Sequence, residues 1–142
     1  MAFHFWYTAL SIFFIALMAA GYLWLADTGR LFASVPPTDF FLMALAVMRL
    51  VRLFTYDIIT AFIRDWFKGA DPRSLSGALG GLLNCPWCTG LWFAPVVVFF
   101  YFATPVAWYA ILVLALSASA TFLQLLANLA GWSAELKKKQ AQ

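Results

Sequence analysis

Charge is scarce in this sequence: Asp, Glu, Lys and Arg make up 11% of it, against 65% hydrophobic residues. A soluble domain averages about a quarter charged and about half apolar. A chain of 142 residues cannot bury that excess in a globule, because small domains leave much of their surface exposed. Lipid is the solvent that tolerates it. A soluble body with a basic face is missing, so the net charge of +3 does not argue for nucleic acid. Cysteine is limited to Cys85 and Cys88, too few for a disulfide scaffold, and histidine to His4. No basic residue precedes the first apolar run, which is also too long for the core of a secretory signal; it reads as a retained membrane helix. The glycine-rich stretch from Ser76 to Leu83 lacks the Gly-Lys-Ser/Thr of a phosphate loop and follows no strand pattern, so it reads as a flexible connection.

What is present is apolar sequence in blocks long enough to cross a bilayer, which takes about 20 residues. The expected fold is all-α: a single polytopic membrane domain with about four transmembrane helices, over residues 3–26, 40–60, 88–103 and 106–130, and a basic tail over 133–142. Trp6, Tyr7, Tyr22, Trp24, Tyr101, Trp108, Tyr109 and Trp132 fall where interfacial aromatic belts belong. Asp27-Thr28-Gly29 ends the first span, and Thr38 or Asp39 is placed to cap the second after Pro36-Pro37. Asp71-Pro72-Arg73-Ser74 reads as a turn, and Thr104-Pro105 as a tight break between the last two spans.

The second span carries charge. A continuous helix from Phe40 to about Phe67 puts Arg49, Arg52, Tyr56, Asp57, Thr60 and Arg64 on one face of about 140°. The competing arrangement has residues 49–67 leave the membrane as an interfacial helix. We favour the continuous helix, with an amphipathic cytoplasmic extension beyond Tyr56. Arg49 is expected to face other helices and to be hydrogen-bonded, since charge inside a membrane is costly. Asp57 lies more than two helical turns from it, beyond a direct i,i+4 pair. Ser117, Thr121, Gln124 and Asn128 form a polar stripe on the last span. Such stripes either hold helices together by hydrogen bonds or line a polar path.

Basic residues gather at Arg64, Lys68 and Arg73 and at Lys137, Lys138 and Lys139, all on one side of a four-span layout, with Arg30 opposite. The bias predicts the inner membrane with both termini cytoplasmic, and anionic lipid at the basic tail.

Cys85-Pro86-Trp87-Cys88 allows three readings. As a redox pair it has the two-residue spacing of thioredoxin-like proteins, and a helix N-terminus favours a thiolate at Cys85, but no βαβ pattern surrounds it. As a metal site it is half of a tetrahedral zinc set, with His4 or a second copy to complete it; no cofactor is otherwise expected. As a structural device it starts the third span with two small apolar thiols, Pro86 setting the entry, Gly90 admitting a close neighbour near Tyr56 and Asp57, and Trp87 and Trp92 anchoring at headgroup level. The structural reading predicts reduced thiols.

Arg49-Leu50-Val51-Arg52-Leu53, then Tyr56-Asp57, Arg64 and Trp66-Phe67, followed by Cys85-Pro86-Trp87-Cys88-Thr89-Gly90-Leu91-Trp92, resemble a domain-of-unknown-function family of small bacterial and phage membrane proteins that includes sporulation-associated proteins of bacilli. The resemblance runs from about Phe40 to Ala130. It implies a multi-span fold with both motifs near one membrane face, and it implies no known activity or cofactor. The expected function is a non-enzymatic structural or accessory subunit of a larger membrane assembly, with other membrane subunits or a second copy as partner. The rivals are a thiol-redox or metal-binding protein using Cys85 and Cys88, and a small channel or transporter subunit using Arg49, Asp57 and the stripe.

Overall fold

A computed structural model describes residues 2–31 and 34–140; of these, the side chains of residues 2–4, 137, 139 and 140 are not described. Among the described residues the chain is helical throughout: α1 (Ala2–Asp27), α2 (Pro37–Thr55), a 3-10 turn (Ile58–Thr60), α3 (Ala61–Asp65), α4 (Leu75–Leu83), α5 (Pro86–Ala103) and α6 (Ala107–Gln140). Three stretches of the described residues are long and apolar enough to cross a membrane: Phe5–Asp27, Pro86–Ala103 and Ala107–Leu136. The helix expected as the second span is not among them. Its 19 residues rise about 28 Å, but they include Asp39, Arg49 and Arg52.

That charged helix nevertheless sits at the centre. It packs on both α5 and α6, which touch each other less, while α1 leans on α5 and α4. Met43 and Ala46 of α2, Val97 of α5 and Ile111 of α6 form the buried core, edged by Leu42, Val47, Leu50, Tyr101 and Leu114. Ala46 is fully buried, as are nearly all of Ala115 and Ala118 on α6. Small residues at these positions let the helix backbones approach, the usual basis of helix packing where lipid removes the hydrophobic drive.

The breaks follow local chemistry. After Asp27 the Thr28 hydroxyl bonds the Trp24 carbonyl at 2.8 Å and Gly29 takes φ +65°, a left-handed stop. Thr104 is extended and α6 begins three residues later. The cap expected at Thr38 or Asp39 is not used. Proline is suited to the first helical position, so α2 starts at Pro37, behind Pro36, and Asp39 lies within its first turn. The Asp39 carboxylate instead accepts from the Tyr101 hydroxyl at 2.5 Å, tying the start of α2 to the end of α5. Arg30 donates to the Ala103 carbonyl at the same end.

Two larger expectations are corrected. The continuous helix to Phe67 ends at Thr55: Asp57 is extended, and the chain re-enters a helix only through the 3-10 turn. Side chains from beyond the break satisfy the last carbonyls of α2. The Thr60 hydroxyl bonds the Leu53 carbonyl, and the Arg64 guanidinium bonds the Phe54 carbonyl at 2.9 Å and the Thr60 hydroxyl at 3.1 Å. The flexible connection at 76–83 is instead helix α4. Ser74 caps it, accepting from the Gly77 N–H at 3.1 Å, and Gly77 lies against the backbone of Asp71 and Pro72, where a Cβ would collide. The expected polar tail over 133–142 is a continuation of α6 as far as Gln140.

Candidate functional site

The chemistry-bearing residues gather at one end of the bundle. Trp6 near the start of α1 donates to the Arg73 carbonyl at 3.0 Å, and a Cβ on Gly81 of α4 would touch the Tyr7 hydroxyl. The end of α2, α3, α4 and the start of α5 share that end, and α6 runs toward it.

The first group is built by the break after Thr55. Turning the chain there brings Asp57 back to Arg49, and the two form an ion pair at 3.0 Å with side chains 20% and 28% exposed. Arg49 is half-buried and paired, and its partner is the residue that a straight helix placed out of reach. Arg52 lies over the ring of Tyr56 at 6.0 Å, while its Nε has no hydrogen-bond partner among the described residues. The exposed apolar side chains past the break, Ile58, Ile59, Phe62 and Trp66, point away from the bundle.

The second group is the start of α5. Pro86 occupies the first turn, as expected, and Cys85 is the residue before it. The Cα atoms of Cys85 and Cys88 are 5.3 Å apart, within the range a cross-link requires, and the sulfurs form a disulfide. The expectation of two reduced thiols is corrected accordingly. The Cys88 N–H also points at the Cys85 sulfur, at 3.3 Å. Buried Thr89 bonds the carbonyls of Leu82 and Cys85 at 2.8 and 3.0 Å, which locks α5 to the end of α4. Gly90 admits Val51 of α2, more than a helical turn before the expected Tyr56 and Asp57. Trp87 is 89% exposed, whereas Trp92 packs on Phe13 and Phe14 of α1. Among the described residues no three metal-ligating side chains come together, and the His4 side chain lies outside the described residues. The disulfide form offers no thiolate to zinc; ligation would need the reduced pair.

The polar stripe lies along the continuous helix α6, half-buried at Ser117 and Thr121 and exposed at Gln124 and Asn128. Thr121 donates to the Ser117 carbonyl of its own helix at 2.8 Å, and Gln124 donates to Asn128 at 3.1 Å on the exposed surface. Among the described residues no hydrogen bond or ion pair joins the stripe to Arg49 or Asp57. Every residue from Phe122 to Leu136 is exposed. The Asp39–Tyr101 bond was not legible in the sequence because it depends on how the helices pack, and the cap by Thr60 and Arg64 because it depends on the chain turning after Thr55.

The fold and its helix-end site therefore define an all-helical protein with helices suited to a membrane. Residues 70–127, which hold α4, α5 and much of α6, match the family described as "Protein of unknown function (DUF1360)". The chain is 33% identical over 104 residues to Sporulation protein YjcA of Bacillus subtilis (strain 168), covering 61% of this chain and 88% of that one. It is 34% identical over 77 residues to UPF0713 protein YngL of the same strain, covering 46% of this chain and 59% of that protein. No solved structure matches it. The chain belongs to this uncharacterised, sporulation-associated DUF1360 family.

Proposed function

We propose that the protein is a non-enzymatic structural or accessory subunit of a bacterial inner-membrane assembly, and that the second half of α6 is the element that docks its partner. The observation that carries this reading is the exposed run from Phe122 to Leu136, with the Gln124–Asn128 amide pair set in it. The apolar stretch of α6, 30 residues, is about 45 Å long, against about 30 Å of hydrocarbon. Gln124 and Asn128 lie about 25 and 31 Å from Ala107, at the far side of the hydrocarbon. Amides facing lipid there are costly and gain by hydrogen-bonding a neighbouring helix. The partner helix is that of another membrane subunit or of a second copy.

In this arrangement α2 is the fourth span. Of its charges, Arg49 and Asp39 are paired with Asp57 and Tyr101, and Arg52 lies over the Tyr56 ring. Both termini and residues 56–85 then face the cytoplasm, with Arg64, Lys68, Arg73 and Lys137 to Lys139 on that side, the last three near anionic lipid, and Arg30 on the other.

Photo-crosslinkers at Leu123, Leu126 and Leu129 in intact membranes test the docking element. A discrete protein adduct from these positions, lost in Gln124→Leu/Asn128→Leu, is expected. Adducts to lipid alone overturn the reading. For orientation, Ser74→Cys in a Cys85→Ser/Cys88→Ser background should resist labelling from outside intact cells, and ready labelling would reverse it.

A further inference from the structure

The docking reading leaves the disulfide at the start of α5 without a use. Holding the fold together is a weak reason for it. The cross-link joins residues three apart, and so short a loop restricts the unfolded chain least. The start of α5 is already held by Pro86 and by the two hydrogen bonds of Thr89. The geometry instead suits sulfur chemistry. Cys85 caps an 18-residue helix, and the Cys88 N–H, one of the donors such a helix leaves unpaired, points at its sulfur. That donor favours a negative charge on Cys85, the form in which a thiol attacks or leaves. Both cysteines are partly exposed at the bundle end, next to the exposed Trp87, so another sulfur can reach them.

We infer that Cys85 and Cys88 form a reversible dithiol–disulfide couple that exchanges two electrons with a disulfide or dithiol of a partner molecule. In the oxidising direction the Cys85 thiolate attacks one sulfur of the partner's disulfide. The partner's S–S bond breaks, a Cys85–partner mixed disulfide forms, and the released sulfur takes a proton. The Cys88 thiolate then attacks the Cys85 sulfur, re-forming the bond seen in the structure and releasing the partner's second thiol. Two electrons and two protons pass from the cysteine pair to the partner; a partner dithiol runs the same steps backwards. Cys85 is the residue that meets the partner, and Cys88 resolves the intermediate.

The test uses the full chain in lipid nanodiscs, equilibrated over a series of reduced-to-oxidised glutathione ratios, acid-quenched, and modified with a polymer-linked maleimide. One transition between unmodified and doubly modified protein is expected. With oxidised glutathione as probe, Cys88→Ser, which keeps the backbone N–H that faces the Cys85 sulfur, should form its mixed disulfide about threefold faster than Cys85→Ser. Circular dichroism checks that both variants keep their helices, and the wild-type titration stands without them. A disulfide that resists excess dithiothreitol until the helices melt overturns the proposal. So do two thiols that stay free across the whole series. Equal rates for the two variants overturn the assignment of Cys85.

Discussion

Replacing Arg49 by methionine keeps the length of the side chain and removes its charge, leaving the Asp57 carboxylate, 3.0 Å away in the native protein, without its ion-pair partner. At that distance the gross attraction is about 5–6 kcal/mol at an effective dielectric of about 20, and desolvation of both groups cancels much of it. Removing one partner of a fully buried pair costs about 3–5 kcal/mol, and a fully exposed pair contributes about 0–1 kcal/mol. With side chains 20% and 28% exposed, this pair lies between those limits, so we expect Arg49→Met to cost about 2–3 kcal/mol. Asp57→Asn should cost a similar amount. The double variant should cost less than the sum by about 1.5–2 kcal/mol, because each single change already breaks the pair. Exposed Arg73→Ala, the control, should change stability by less than about 0.5 kcal/mol. The assay is reversible unfolding in mixed micelles with increasing sodium dodecyl sulfate, followed by circular dichroism. A coupling energy within about 0.5 kcal/mol of zero, or an Arg49 variant no weaker than the Arg73 one, would refute the idea that this pair holds the turn after α2.

Two further outcomes are expected from packing. Gly77→Ala should destabilise α4, because the new methyl meets the Asp71 and Pro72 backbone, whereas Gly131→Ala, with open space around it, should be neutral or slightly stabilising; thermal unfolding of the two variants side by side would show it, and equal midpoints would contradict the close approach. Ala46→Leu should cost about 1–3 kcal/mol by overfilling the fully buried contact of α2, while Ala44→Leu on the exposed side should not; the same micelle assay decides, and a tolerated Ala46→Leu would mean that α2 is not at the centre.

Much of this protein is decided by local sequence. An excess of apolar residues over anything a small globule can bury selects helices in lipid, because helices satisfy their own backbone hydrogen bonds there. Gly29, Pro37, the Thr104-Pro105 pair and Pro86 set chain stops and starts by the torsions they allow, so these boundaries were legible within a few residues. The pairing of the polar residues was not. A helical projection of Arg49 and Asp57 shows one face but cannot show that the axis turns at Tyr56. Nothing between Phe54 and Thr60 forbids a helix, and the turn is held by Thr60 and Arg64 reaching back to carbonyls seven and ten residues earlier. Likewise α4 keeps its glycines because Asp71, Phe67 and Tyr7 crowd against it, and Trp92 packs on the rings of α1. Each of these depends on which surface arrives beside a residue once the helices pack. Torsional preference acts within a few bonds and is written in the sequence, whereas contact at 3 Å between distant residues exists only after the backbone has brought them together.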